Sequence, residues 1–310
     1  MKPQVHGLHH ITSIASDAQA NNSFFTSAIG LRRVKKTVNF DQPDTYHLYY
    51  GDAAGTPGTV MTYFPFRGAG PGRPGTGEVG QTVFSVSPGA LGRWAERLGN
   101  LGVSGMAKAT SFGEKRLNFK GPDGDSFALV EVADDTRLGW TGADVDSDDA
   151  VRGFHSAKLR LRDDVEMGEL LSFMGYEKLA TEGSLTRFAI KNGNGADFID
   201  IHAQPDLPRA VEGAGSVHHI AFAVPDRAAQ LAVRAALLDT GYRVTPVIDR
   251  DYFWAIYFRT PGGVLFEVAT AEPGFDRDEP PGHLGEGLML PAQHEARRAE
   301  IESYLDLIVD

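Results

Sequence analysis

Leu8-His9-His10-Ile11-Thr12 returns some two hundred residues later as Val217-His218-His219-Ile220-Ala221. A second string follows each copy: Thr56-Pro57-Gly58-Thr59-Val60-Met61-Thr62-Tyr63 after the first, Thr260-Pro261-Gly262-Gly263-Val264-Leu265-Phe266-Glu267 after the second. Aligned on Thr-Pro-Gly, Tyr63 stands opposite Glu267. The duplicated unit thus carries two matched histidines and one carboxylate, with a poor ligand in the fourth symmetry position. That donor set suits a divalent metal with open coordination positions.

The repetition extends further. Asp17 is placed to cap a helix running to Gly30, and Asp226 one running to Gly241. Two fainter copies lie between, with Ser87 expected to cap Ala90 to Leu98 and Asp163 or Asp164 to cap Val165 to Met174. The helix-ending glycines Gly30, Gly102, Gly175 and Gly241 are spaced by 72, 73 and 66 residues, the mark of a unit duplicated twice. Each unit reads as a strand, a helix and further strands, for example Thr45 to Tyr50 and Tyr252 to Phe258. The class is therefore α+β.

Boundaries follow from composition. Arg67 to Gly80 is a Gly/Pro-rich linker; its Gly70-Pro71-Gly72-Arg73-Pro74-Gly75 lacks the following helix and the backbone donors of a phosphate loop. Asp134 to Asp149 is polar and joins two halves. The expected organisation is an N-terminal domain 1–140, a C-terminal domain 150–272 and a tail 273–310 ending in a helix from Ala292 to Ile308. Ile301, Tyr304 and Leu305 form that helix's apolar face.

Composition narrows the function. A net charge of −11 over 310 residues, without basic clusters, argues against a nucleic-acid partner. With no cysteine, a metal must be held by histidine nitrogen and carboxylate oxygen. No apolar run is long enough to span a bilayer, and the first thirty residues lack the pattern of a signal peptide, so a cytoplasmic protein is expected.

Strand periodicity selects among the histidines. Ile220, Phe222 and Val224 share one face, which leaves His219 on the other; the same parity gives His10 rather than His9 in the first copy. The register places Gln81 and Ser156 at the histidine positions of copies two and three, with Ala128 and Asp200 at their carboxylate positions. Those copies lack the donor set. His155 is the competitor to His10, but Ala157, Leu159 and Leu161 put it at a non-ligand position.

On these residues the chain resembles the vicinal oxygen chelate superfamily of glyoxalase I, bleomycin-resistance proteins and extradiol dioxygenases. It is most similar to ring-cleaving dioxygenases of the hydroquinone 1,2-dioxygenase type, through the strings above and through Tyr46-His47-Leu48-Tyr49, Gly153-Phe154-His155-Ser156 and Arg259 to Glu267. The resemblance implies four βαβββ modules in two vicinal-oxygen-chelate domains, open cup-like mixed barrels with outer helices, copy one pairing with copy four. It implies Fe(II), with Mn(II) as a substitute, held by His10, His219 and Glu267. It also implies supporting roles for His9, Thr12, His218, Arg250 and Tyr257, and a small aromatic substrate cleaved with O2. Phe253 or Trp254 is expected to shape its pocket, and a homo-oligomer is compatible with the family. The competing readings are a glyoxalase-like metal-dependent isomerase or lyase, and a non-catalytic small-molecule-binding protein.

Overall fold

In the computed structural model, which describes residues 4–309, the repeated pattern becomes four successive βαβββ units. The first comprises β1 (Leu8–Ala15), α1 (Ala18–Ser23), β2 (Arg32–Val38), β3 (Tyr46–Gly51) and β4 (Val60–Pro65). The second comprises β5 (Glu78–Val86), α2 (Leu91–Asn100), β6 (Ala107–Ser111), β7 (Glu114–Lys120) and β8 (Ser126–Glu131). The third runs β9 (Gly153–Leu161), α3 (Val165–Phe173), β10 (Glu177–Glu182), β11 (Leu185–Ala189) and β12 (Phe198–Ala203). The fourth runs β13 (Val217–Val224), α4 (Arg227–Asp239), β14 (Ile248–Asp249), β15 (Phe253–Arg259) and β16 (Leu265–Pro273). No helix among the described residues is long and apolar enough to cross a membrane.

Asp17 and Asp226 accept the backbone N–H of Ala20 and Ala229 and so start α1 and α4 as expected. A π-helical turn, Phe24–Ala28, extends α1 and buries both Phe24 and Phe25. The second copy is capped differently from the expectation, whereas the third keeps one of its two expected residues. Glu131, at the end of β8, takes the N–H groups of Gly89 and Leu91 at α2, where Ser87 makes no side-chain cap. At α3, Asp163 accepts from Val165 while Asp164 is held by Thr186. The four glycines after the helices have φ of 73°, 71°, 105° and 90°, the left-handed conformation that ends each helix.

These strands form two eight-stranded sheets, ordered β14-β15-β16-β13-β1-β4-β3-β2 and β10-β11-β12-β9-β5-β8-β7-β6. In each, the first strands of two units pair antiparallel at the centre, and each is flanked by its own unit's last strand running parallel. Unit one joins unit four, and unit two joins unit three. The sheets therefore do not follow the expected boundaries 1–140 and 150–272, because each draws one unit from either half of the chain. One core runs through both: Phe24 and Phe25 of unit one pack on Phe119 and Phe127 of unit two.

The tail is a strap, with a shorter helix than expected. Lys35, fully buried in β2, binds Asp278 at 2.5 Å and Glu279 at 2.6 Å, and Glu279 also accepts from Gly285 and Gly287. The final helix α5 spans only Arg298–Tyr304, with Ile301 buried and Tyr304 about half exposed. Beyond it the backbone turns extended at Leu305, so that the carbonyl of Asp306 accepts from Tyr46 and its carboxylate pairs with Arg67.

A latch joins the sheets at the Pro122-Asp123-Gly124-Asp125 turn. Asp123 accepts from the backbone N–H and hydroxyl of Ser16, and buried Asp125 accepts from the Tyr63 hydroxyl. Burial pushes the Asp125 carboxyl up to about 6. A carboxyl raised in the folded state contributes stability that is complete below about pH 4 and is lost as pH rises through about 6. Asp125→Asn is expected to remove that loss, of the order of 3 kcal/mol. Urea unfolding of both proteins at pH 4.5 and 7.5 measures it: the variant's stability should fall less between the two pH values than the wild type's.

Candidate metal centre

Side-chain alternation on three adjacent strands builds the centre. Ile11 on β1, Ile220 and Phe222 on β13, and Phe266 and Val268 on β16 turn into the core, so His10, His219 and Glu267 turn to the concave face. The strands are neighbours in the sheet, which brings together residues far apart along the chain. His219 Nε2 lies 2.9 Å and His10 Nε2 3.4 Å from the same Glu267 oxygen, and the two nitrogens are 3.4 Å apart. All three residues are buried, and their donor atoms lie within 4.8 Å of one another.

The tautomers follow from the surroundings. His9 Nε2 lies 3.0 Å from the Thr270 carbonyl, which can only accept, so this nitrogen carries the proton. Burial, reinforced by His10, lowers the His9 pKa to about 3 and keeps the ring neutral at pH 7. Its Nδ1 must then accept from His10 Nδ1, 3.0 Å away, which leaves the His10 Nε2 lone pair facing Glu267. His218 stands in the same relation to His219, with the Nδ1 atoms 2.7 Å apart. Burial brings His219 down to about 4. It pushes Glu267 up, but His10 and His219 outweigh it and hold this carboxyl well below the usual range. Two lone pairs and a buried carboxylate whose oxygens accept no hydrogen bond form a cation receptor.

A cavity of about 330 Å³ opens above the cluster, the size for a single substituted aromatic ring. Phe40, Phe64, Phe66 and Phe253 supply apolar walls; His47, Tyr49, His218, Arg250 and Tyr257 supply polar groups. Arg250 Nε donates to Tyr257 Oη at 3.2 Å, and the Tyr257 ring packs edge-on against His219. Burial and the nearby Glu267 push the Tyr257 hydroxyl far up, so it keeps its proton. His9 and Thr12 are buried and do not line the cavity, although Thr12 shares the concave face and lies opposite His219. Trp254, expected near the cavity, instead turns to the outer face beneath Arg227, because it alternates with Phe253.

The fourth symmetry position belongs to Thr62, not Tyr63. Ala221, two residues past His219, pairs with Glu267, and Thr12, two past His10, pairs with Thr62. The Thr260–Val264 turn is one residue longer than its counterpart, so alignment on Thr-Pro-Gly slips by one and reverses the face. Tyr63 faces the core against Phe25. His47 and Tyr49 escaped the sequence reading as cavity residues, although the alternation in Tyr46-His47-Leu48-Tyr49-Tyr50 carried the signal: Leu48 and Tyr50 are core.

The second cup holds a different assembly. Arg187 grips Asp200, the counterpart of Glu267, through Nε and Nη2 at 2.7 and 2.8 Å, and its Nη1 donates to Glu114 at 2.7 Å. Arg116 approaches both carboxylates as well. His155 bonds Glu114 at 3.1 Å and therefore belongs to this cluster rather than to the one around Glu267. A guanidinium neutralises the carboxylate here.

Paired βαβββ units curled into two cups, one with a His-His-Glu cluster at its base, define the vicinal-oxygen-chelate class. The profile of the Glyoxalase/Bleomycin resistance protein/Dioxygenase superfamily matches residues 7–129 and 101–268, and the chain belongs to this superfamily. It is 42% identical to a Bacillus subtilis (strain 168) protein named "Putative ring-cleaving dioxygenase MhqO", over 98% of this chain and 97% of that one. It is 36% identical to the chlorohydroquinone/hydroquinone 1,2-dioxygenase of Sphingobium indicum, over 96% and 95%. A crystal structure titled as a "putative dioxygenase" from Bacillus subtilis matches with a TM-score of 0.95 at 42% identity, covering 99% of this chain and 98% of that one. Glyoxalase I from Zea mays shares the fold, with a TM-score of 0.64 at 13% identity over 86% and 92%.

Proposed function

We propose that the protein is a metal-dependent ring-cleaving dioxygenase that inserts both atoms of O2 into a hydroquinone between C1 and C2, with His10, His219 and Glu267 holding Fe(II). The observation that carries this reading is the convergence of those donors beneath an aromatic-walled cavity. Three protein ligands leave roughly three positions for substrate and dioxygen. When bound, iron supplies the point at which an ionised hydroxyl and O2 meet and exchange electrons. The relatives bearing dioxygenase names support the reaction class.

The protein's own groups do the rest. His9, anchored on the Thr270 carbonyl, fixes the His10 tautomer and its aim. His218 lines the cavity with Nδ1 accepting from His219, so its Nε2 carries the ring's proton and is the atom that can donate to an oxygen bound there. Arg250 occupies the oxygen of Tyr257, which leaves the phenolic proton to stabilise charge on a substrate oxygen. The aromatic walls hold the ring and exclude water.

A glyoxalase-like isomerase would draw on a fourth protein ligand, but Thr62 stands there, hydrogen-bonded to Thr12. The test is anaerobic reconstitution with Fe(II), then oxygen-electrode traces with hydroquinone, methylhydroquinone, chlorohydroquinone and catechol. One O2 consumed per ring opened is expected for at least one hydroquinone; Mn(II) should support less. Turnover of a hemithioacetal with no oxygen uptake on any of the four would overturn the proposal.

A further inference from the structure

Four buried side chains form an unbroken hydrogen-bonded row from β3 to β1. Tyr49 Oη lies 2.8 Å from His47 Nδ1, His47 Nε2 lies 2.9 Å from Thr62 Oγ1, and Thr62 Oγ1 lies 2.8 Å from Thr12 Oγ1. Thr62 and Thr12 are fully enclosed, while His47 and Tyr49 touch the cavity. Thr12 shares the concave face of β1 with His10 and stands opposite His219 on β13.

A neutral imidazole carries one N–H and a hydroxyl one proton, so if Thr62 donates to Thr12 it must accept from His47 Nε2–H, and Nδ1 must accept from Tyr49. Burial keeps His47 neutral, well below the usual histidine range. If Tyr49 donates to Nδ1, then Nε2–H donates to Thr62, Thr62 donates to Thr12, and the free proton is the one on Thr12. In the opposite polarity the free proton belongs to Tyr49. Its ring is enclosed by Tyr252 and Phe275, and His47 is its hydrogen-bond partner among the described residues. Thr62 donates to Thr12, which selects the first polarity.

We propose that His47, oriented by Tyr49, is a positioning residue whose tautomer sets this polarity, so that Thr12 presents its proton to an oxygen atom bound beside His10 and His219. The inference rests on the dioxygenase reading for what that oxygen is; the polarity stands on its own. It explains why the fourth symmetry position is a threonine. There the hydroxyl relays direction from a cavity wall to the strand that carries His10. A donor oriented before the reaction stabilises developing charge without reorganisation.

Two measurements test the proposal. The first is nitrogen NMR of the full-length protein loaded with Zn(II), its histidine rings labelled with 15N and the His47 signals identified by their loss in His47→Gln. A protonated Nε2 and bare Nδ1 are expected, with mixed tautomers in Tyr49→Phe; a protonated Nδ1 in the wild type overturns the proposal. The second is kinetics on hydroquinone with Fe(II). Thr62→Val should lower kcat about 10- to 100-fold, less than outright loss of an oxyanion donor, with KM within about twofold. Thr62→Ser should restore most of the rate. Wild-type kcat in Thr62→Val would overturn the proposal. Should Thr62→Val fail to fold, Tyr49→Phe, which keeps its ring, must show a reduced kcat. If the wild type consumes no oxygen, the dioxygenase reading fails while the NMR result still decides the polarity.

Discussion

His10→Ala and His219→Ala are each expected to abolish metal retention, whereas His155→Gln should retain metal and oxygen uptake close to wild type. His10 and His219 supply two of three donor atoms that lie within 4.8 Å of one another. His155 lies in the other sheet, bonded to Glu114. Changes in groups that only orient a ligand cost about 10- to 100-fold in metal affinity, so losing a ligand should cost more than about 100-fold. Metal content after gel filtration, with chelator competition, reads this directly. Folding is checked by near-UV circular dichroism. Metal lost from His155→Gln but kept by His10→Ala would show that the centre has been assigned to the wrong strands.

Arg187→Met should be the most destabilising single change in the second cup, at about 3–5 kcal/mol. Arg187 is the bidentate partner of Asp200, which is fully buried, and its guanidinium is sandwiched between Phe112 and Phe198. Without it, the ion-pair contact that Asp200 keeps among the described residues is the more distant one to Arg116 at 3.7 Å. Arg187→Lys is also expected to destabilise, since an ammonium cannot reproduce the planar fork. Adding Asp200→Leu to Arg187→Met should recover most of the loss, because the desolvated charge then disappears along with its partner. Urea unfolding midpoints of the two single variants and the double variant form the measurement. If Arg187→Met unfolds at the wild-type midpoint, the cluster is not holding the second cup together.

Much of the architecture was legible because the unit repeats. Asp17 and Asp226 followed by Gly30 and Gly241 announce two helices, and the parity of Ile220, Phe222 and Val224 separates His219 from His218. The cap of α2 was not legible. Glu131 reaches α2 from a strand forty residues later, a partner that no local pattern reveals. The face of Tyr63 was misread for a similar reason: one extra residue in the turn before β16 shifts the alignment, and in a strand one residue exchanges core for cavity.

Residue types and their two-residue alternation were enough to read a unit of strand, helix and further strands, its fourfold repetition and the candidate donors His10, His219 and Glu267, since these depend on chemistry carried within short segments. The Thr62 position, the His9 anchor on the Thr270 carbonyl and the guanidinium opposite Asp200 emerged only in three dimensions. Each depends on which strands lie side by side. Strand neighbours are chosen by the burial of a core shared across the whole chain, and that choice leaves no mark at any single position.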